Sequence, residues 1–345
     1  MEGIKYEEEF LLNSRGLKLF TCRWLPENRE PKALIFLCHG YAMECSISMK
    51  GTGIQLAKAG FAVYGIDYEG HGKSSGLQGY IRSFDGLVND CSDYFTSICE
   101  RRENRMKKRF LLGESMGGAM VLLLHRKRPT YWDGAVLVAP MCKIAEEMKP
   151  PPIIIKILTQ LSKIIPTWKL IPTKDIIDSA IKNPEWREQV RSNPYCYKGK
   201  PRLKTGYELL MVSLDIEKNL HQVTLPFIVV HGGDDIVTDP SVSRSLYETA
   251  SSKDKTFKLY PGMWHALTSG EPQESIDLVF SDIIAWLDDR ATPSNSRSER
   301  EHKAGHDPRS SHSSAWRESN VLTTPRSTDT TNMSFRLTKI STALN

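Results

Sequence analysis

The sequence predicts an α/β fold: a mostly parallel, doubly wound sheet that carries a helical insertion. Three observations point there. Short continuous apolar runs recur along residues 1–290, several of them ending in Gly. Stretches with helical spacing alternate with those runs. One interval, residues 141–224, breaks the alternation with several helical patterns and no convincing strand. Apolar runs of this length suit strands covered on both faces. Strand–helix alternation places helices on both sides of a parallel sheet.

The elements follow in order. Residues 6–12 and 17–24 alternate enough to form two antiparallel strands. The buried strands are ALIFLCHG (33–40), FAVYGIDY (61–68), RFLLGES (109–115), DGAVLVAP (133–140), PFIVVHG (226–232) and TFKLYPG (256–262). Helices are expected over 52–59, 84–101, 116–127, 240–250 and 274–289. Inside the interruption the helical patterns are 150–172, 175–183 and 203–220. This gives a core of residues 1–140 and 225–290, with 141–224 lying as a helical cap over one end of the sheet. The remaining segment, 291–345, has nineteen Ser or Thr and few large apolar groups. It cannot bury enough surface to offset its ordering entropy, so it is expected to be disordered.

Charge and composition exclude several classes. The net charge is +5, of which the last 55 residues carry +3. The nearly neutral remainder gives no electrostatic case for nucleic-acid binding. The seven Cys are scattered without a C-x-x-C pair, which suits reduced thiols in the cytoplasm. The N-terminus has no cationic start and no apolar h-region, so secretion is not expected. No window holds eighteen uninterrupted apolar residues, so no membrane span is expected. Neither a metal motif, a phosphate loop nor a dinucleotide fingerprint is present, so no cofactor is expected.

Four motifs carry chemistry. Gly113-Glu114-Ser115-Met116-Gly117-Gly118 is G-x-S-x-G, entered by an apolar strand and left by a helix-forming run. That context holds a serine on a sharp strand-to-helix turn with its hydroxyl projecting from the sheet edge. A serine hydroxyl is a poor nucleophile and needs a base. Cys38-His39-Gly40-Tyr41 ends an earlier strand, where a loop can aim a backbone N–H at a reacting carbonyl. The amides of Tyr41 and Met116 are the expected oxyanion donors, Met116 sitting at a helix N-terminus. His39 reads as a structural turn residue and not as the base. His231-Gly232-Gly233-Asp234-Asp235 offers two adjacent carboxylates, and spacing alone does not choose between them. Gly262-Met263-Trp264-His265 follows the last strand and places His265 to accept the serine proton. The order Ser, Asp, His along the chain is that of α/β-hydrolases.

Together HGY, YEGHGKS (68–74), GESMGG, HGGDD and PGMWH resemble the monoacylglycerol lipase family of α/β-hydrolases, most of all its plant branch. That branch includes enzymes acting on monoacylglycerols and lysophospholipids, and caffeoylshikimate esterases. The resemblance covers roughly residues 6–290 and is specific for the family, not for one substrate. It implies a catalytic set of Ser115, Asp235 and His265, choosing Asp235 by its place four residues after His231. It supports Tyr41 and Met116 as oxyanion donors. One departure is Tyr41 itself, where many members carry Ala or Gly; its larger side chain is expected to narrow the acyl entrance. The implied reaction is hydrolysis of monoacylglycerol to fatty acid and glycerol through an acyl-enzyme. Rivals are a phenolic-ester esterase, a lysophospholipase, a peptidase of related fold and, in another class, a ligand-sensing receptor.

The insertion adds two expectations. Ile153, Ile154, Ile157, Leu158, Leu161, Ile164 and Ile165 fall mostly on one helical face, with Lys156 and Lys163 on another. Such a face either packs on the domain or meets a membrane or lipid-droplet surface. Glu44, just beyond the oxyanion loop, is a candidate for holding the polar glycerol end; the alternative is an ordinary loop charge.

Overall fold

Phase and burial explain how this chain builds its sheet. The computed structural model describes residues 2–144, 149–171 and 176–291. The strands are β1 (Ile4–Leu12), β2 (Lys18–Pro26), β3 (Ala33–Cys38), β4 (Ala62–Ile66), β5 (Lys108–Glu114), β6 (Gly134–Val138), β7 (Phe227–Gly232) and β8 (Lys255–Tyr260). They form one sheet in the order β1-β2-β4-β3-β5-β6-β7-β8. β1 runs antiparallel to β2 and β2 to β4, and every later pairing is parallel. The core helices are α1 (Lys50–Lys58), α2 (Phe84–Cys99) and α3 (Met116–Lys127), joined by α8 (Pro240–Thr249) and α9 (Gln273–Ala291), the labels α4–α7 belonging to the interruption.

Successive strand residues point to opposite faces, and here both faces are apolar. Leu34, Phe36 and Cys38 of β3 join one core, while Ala33, Ile35 and Leu37 join the other. β7 divides the same way, Phe227 and Val229 against Ile228 and Val230. Each such buried large side chain contributes roughly 1.5–3 kcal/mol. α3 is buried almost end to end, from Met116 to His125, because it runs under one face directly behind β5. β4 lies on one side of β3 and β5 on the other, so the chain reverses its direction of growth at β3. Ligand crevices in open α/β sheets open at such switch points, outside the strand C-termini.

The interruption between β6 and β7 holds α4 (Pro152–Ile164), α5 (Ile176–Ala180), α6 (Pro184–Ser192) and α7 (Leu203–Lys218). The pattern expected over 150–172 stops at Ile164, because Pro166 forces the residue before it out of helical geometry. α6 was not anticipated. Its signal is nevertheless in the sequence: Asn183 caps the backbone N–H groups of Glu185 and Trp186, and Pro184 starts the first turn. α7 packs against α2 and α3, so part of the interruption extends the core. A separate small cluster of Ala180, Ile181, Val190 and Cys196 packs on Met43, Val237 and Ala266, next to the strand C-termini. α4 leans on α7 but leaves Ile153 62% and Ile164 75% exposed, with Ile154, Ile157 and Trp168 also open. The disorder expected of 291–345 lies outside the described residues except at Ala291, which is buried at the end of α9.

Candidate active site

The serine turn is held by three backbone hydrogen bonds. Ser115 N–H donates to Val138 O at 3.0 Å, and Ser115 O accepts from Gly118 and Met141 at 2.9 Å each. Its φ of 55° is left-handed, an unusual state for a residue with a Cβ that costs about 1–3 kcal/mol. Glycine makes this turn possible. A Cβ on Gly117 would lie 1.8 Å from Cys38 O, and one on Gly113 would lie 2.2 Å from Gly117 O. β3, β5 and α3 therefore meet at van der Waals distance only because these positions have no side chain. Met116, at the first position of α3, has an amide with no intrahelical acceptor. The 40–42 loop lies against the serine, since a Cβ on Gly40 would be 3.6 Å from Ser115 Cβ.

The aspartate choice is decided by a turn. Asp235 is 5% exposed and faces inward, while Asp234 is exposed. The inward carboxylate is cradled: Oδ1 accepts from Val237 N at 2.7 Å and Thr238 N at 3.1 Å. Oδ2 lies 2.7 Å from His265 Nδ1, 3.1 Å from His231 Nε2 and 2.9 Å from Thr238 Oγ1. Burial pushes this carboxyl up, but hydrogen bonds from His231 and His265 outweigh it and hold it well below the usual carboxylate range. With Nδ1–H bonded to Asp235, the His265 ring leaves Nε2 as its free lone pair. His265 is positioned by close passage of two loops: a Cβ on Gly232 would be 2.3 Å from Trp264 O.

Sequence reasoning overlooked His231 and Thr238. Both hold the Asp235 carboxylate: His231 also bonds Ser243 Oγ at 2.7 Å and Thr238 O at 2.8 Å. The signal in the sequence is the four-residue spacing of His231 and Asp235. His39 accepts from Tyr68 N at 3.2 Å and bonds Gly40 O at 2.8 Å, stacked on Tyr68 at 3.9 Å. Burial and the neighbouring His71 push its pKa far down, which keeps it neutral in its turn.

Glu44 is placed differently from the expectation of a glycerol contact. It is fully buried and absent from the cavity wall. Its oxygens accept from Ser46 Oγ at 2.7 Å, Ser48 N at 2.8 Å, Ser48 Oγ at 2.9 Å and Asn193 Nδ2 at 3.1 Å. The carboxylate is consumed in holding the loop that follows Tyr41, and in tying it to the segment after α6. Nor is it an ordinary loop charge, because it is out of solvent. The Tyr41 side chain lines the cavity and anchors its hydroxyl on Gly79 O at 3.0 Å.

Ser115 and His265 open onto one cavity of about 710 Å³. That is the size of an organic-ligand pocket. Ile177, Ile181, Trp186, Val190 and Val237 form its apolar wall, and Arg191, Lys198 and Lys200 lie on its border. A hydroxyl, an imidazole fixed by a buried carboxylate and helix-end amides beside an apolar chamber suit acyl transfer. Among the described residues no group of His, Cys, Asp and Glu could hold a metal ion.

Comparison with known proteins agrees with the fold and the chemistry. Residues 29–273 match the family described as serine aminopeptidase, S33. The chain is 34% identical to a caffeoylshikimate esterase of Arabidopsis thaliana, over 84% of this chain and 87% of that protein. It is 30% identical to a monoglyceride lipase of Homo sapiens, over 86% of this chain and 96% of that one. A soluble variant of monoglyceride lipase from Saccharomyces cerevisiae, solved with a substrate analog, superposes with a TM-score of 0.72 at 22% identity. That match covers 83% of this chain and 96% of that one, and it shows the fold alone. The resemblance to the monoacylglycerol lipases and caffeoylshikimate esterases is borne out. The chain belongs to the serine aminopeptidase S33 family of α/β-hydrolases and is a serine ester hydrolase.

Proposed function

We propose that the chain hydrolyses the ester of a monoacylglycerol, releasing a fatty acid and glycerol, with Ser115 as nucleophile, His265 as base and Asp235 as its orienting acid. The observation that carries this reading is the 2.7 Å bond from His265 Nδ1 to Asp235 Oδ2, beside an apolar chamber that also takes in Ser115. His265 Nε2 takes the Ser115 proton as Oγ bonds to the ester carbonyl carbon. The carbonyl oxygen becomes an anion facing the Tyr41 and Met116 amides. The C–O bond to the alcohol then breaks, and the imidazolium returns its proton to the departing alkoxide. A water, deprotonated by the same ring, attacks the acyl-serine; the Oγ–acyl bond breaks, and the imidazolium returns its proton to Ser115 Oγ, freeing the acid. The apolar wall of Ile177, Ile181 and Val190 suits an acyl chain.

A second reading has its own observation. Arg191, Lys198 and Lys200 border the cavity, and Arg191 is paired with Asp178 at 3.1 Å, leaving the border net positive. An alcohol bearing an anion, such as the shikimate carboxylate of caffeoylshikimate or the phosphate of a lysophospholipid, complements it. The purified protein should be assayed on a monoacylglycerol, caffeoylshikimate and a lysophospholipid, with Ser115→Ala as blank. Fastest turnover of monoacylglycerol is expected, with none in the blank. Preference for an anionic ester selects the second reading, and turnover by the Ser115→Ala protein overturns both.

The place of action belongs to the same proposal. No helix among the described residues is long and apolar enough to cross a membrane. The open isoleucines of α4, with Lys156 and Lys163 alongside, suit a peripheral contact with a membrane or droplet surface that delivers the amphiphile. Ile153→Glu with Ile157→Glu should lower sedimentation with anionic lipid vesicles severalfold while leaving hydrolysis of a short soluble ester unchanged. Equal sedimentation would remove α4 from this role.

A further inference from the structure

Glu114 precedes the nucleophile, and the backbone of the turn asks nothing of its side chain. The steric demands fall on Gly113 and Gly117. Yet a carboxylate stands there, lining the cavity, where desolvation costs free energy unless hydrogen bonds and charge offset it. Its Oε1 accepts from Thr268 Oγ1 at 2.8 Å and from Thr52 Oγ1 at 3.3 Å. Thr268 lies three residues after His265, and its hydroxyl is buried. Thr52 lies in α1, which follows the oxyanion loop. One side chain thus spans the three segments whose relative placement sets the reaction geometry.

Its electrostatic partner is equally specific. Burial raises the Glu114 carboxyl above the ordinary carboxylate range, and Thr268, Thr52 and the nearby His265 offset that only in part. His265 is near enough for its charge to act on Glu114, and Arg191, Lys198 and Lys200 line the same cavity; the carboxylate facing His265 from the β7 loop is Asp235, backed by His231. A counter-charge for Glu114 therefore exists when the imidazole is protonated, which is the state formed as Ser115 gives up its proton.

We propose that Glu114 is a positioning residue for ester hydrolysis, which ties the His265 loop to the nucleophile's strand through Thr268 and stabilises the imidazolium by its charge. It rests on the reading of Ser115 and His265 given above. Neutral Glu114 could do the first task but not the second, so the two are separable.

The test compares Glu114→Gln, Glu114→Leu and Thr268→Val with the wild-type full chain on a soluble p-nitrophenyl ester across pH. Glu114→Gln keeps an oxygen acceptor for both threonines and loses the charge. Its kcat should fall about threefold or more with KM little changed, because a nearby negative charge favours the imidazolium formed during the reaction. Glu114→Leu should lose about tenfold or more in kcat with little change in KM, as expected when an interaction made only in the transition state is removed. The Gln variant should recover part of that loss. Thr268→Val, which keeps the charge, should lower kcat severalfold and serves if Glu114→Leu does not fold, as read by circular dichroism. Wild-type kcat in Glu114→Gln, or in Thr268→Val, overturns the proposal. Residual activity in Ser115→Ala would instead overturn the underlying mechanism, so the two failures are distinct.

Discussion

Replacing Asp235 with Asn should nearly abolish turnover through proton placement, with little change of shape. The two amides on Oδ1, from Val237 at 2.7 Å and Thr238 at 3.1 Å, can only donate. The Asn carbonyl oxygen must therefore occupy that site, and its NH₂ must take the place of Oδ2. That NH₂ then faces His265 Nδ1, which stood 2.7 Å from the carboxylate. Two donors cannot bond, so the ring shifts its proton to Nε2 and accepts at Nδ1. Nε2 then carries a hydrogen and cannot receive one from Ser115. In the Ser-His-Asp template the same change costs about 10⁴-fold in kcat, or about 5 kcal/mol. The measurement is steady-state hydrolysis of a soluble ester, with circular dichroism to check folding. KM should change little. A folded Asp235→Asn protein that keeps more than about a tenth of wild-type kcat would show that this tautomer argument is wrong.

Two further outcomes follow from geometry and burial. Gly117→Ala places a Cβ 1.8 Å from Cys38 O, so β3 and α3 must separate, and reaction of Ser115 with a fluorophosphonate should be lost; normal labelling would contradict the packing. Asp67 accepts from Cys45 N at 2.8 Å and Lys73 N at 2.9 Å, and burial raises its pKa from 3.8 to about 7. The folded chain thus holds a proton that the unfolded chain has released across this window, so stability from this group falls as pH rises from about 4 to about 7. Asp67→Asn should lower Tm yet flatten its decline between pH 5 and pH 7, and an unchanged slope would refute the assignment. Asp235 acts in the opposite sense. Its depressed pKa gives stability that is complete above the ordinary carboxylate range and is lost progressively as pH falls below it.

The motifs were legible because their causes are local. A strand ending in Gly, a serine between glycines and a histidine after the last strand are steric requirements set within a few residues of chain. α4 was legible as an apolar helix for the same reason, but the pattern was carried on to 172 although Pro166 ends it at Ile164. Which of its faces stays open was not legible, because Ser162 is buried while Ile164 is 75% exposed, and α7 decides that. α6 was missed although its Asn-Pro start was readable, because its polar composition gave little apolar periodicity.

What the sequence by itself determined is the phase of each strand and the order of the candidate serine, aspartate and histidine. Both depend on covalent neighbours and on steric exclusion at Gly113 and Gly117. Tertiary structure alone decided that Glu44 is spent on Ser46, Ser48 and Asn193, and that Glu114 meets Thr268 across 154 residues of chain. The reason is physical: a carboxylate's role is set by the donors around it, and here several of those donors come from segments far away along the chain.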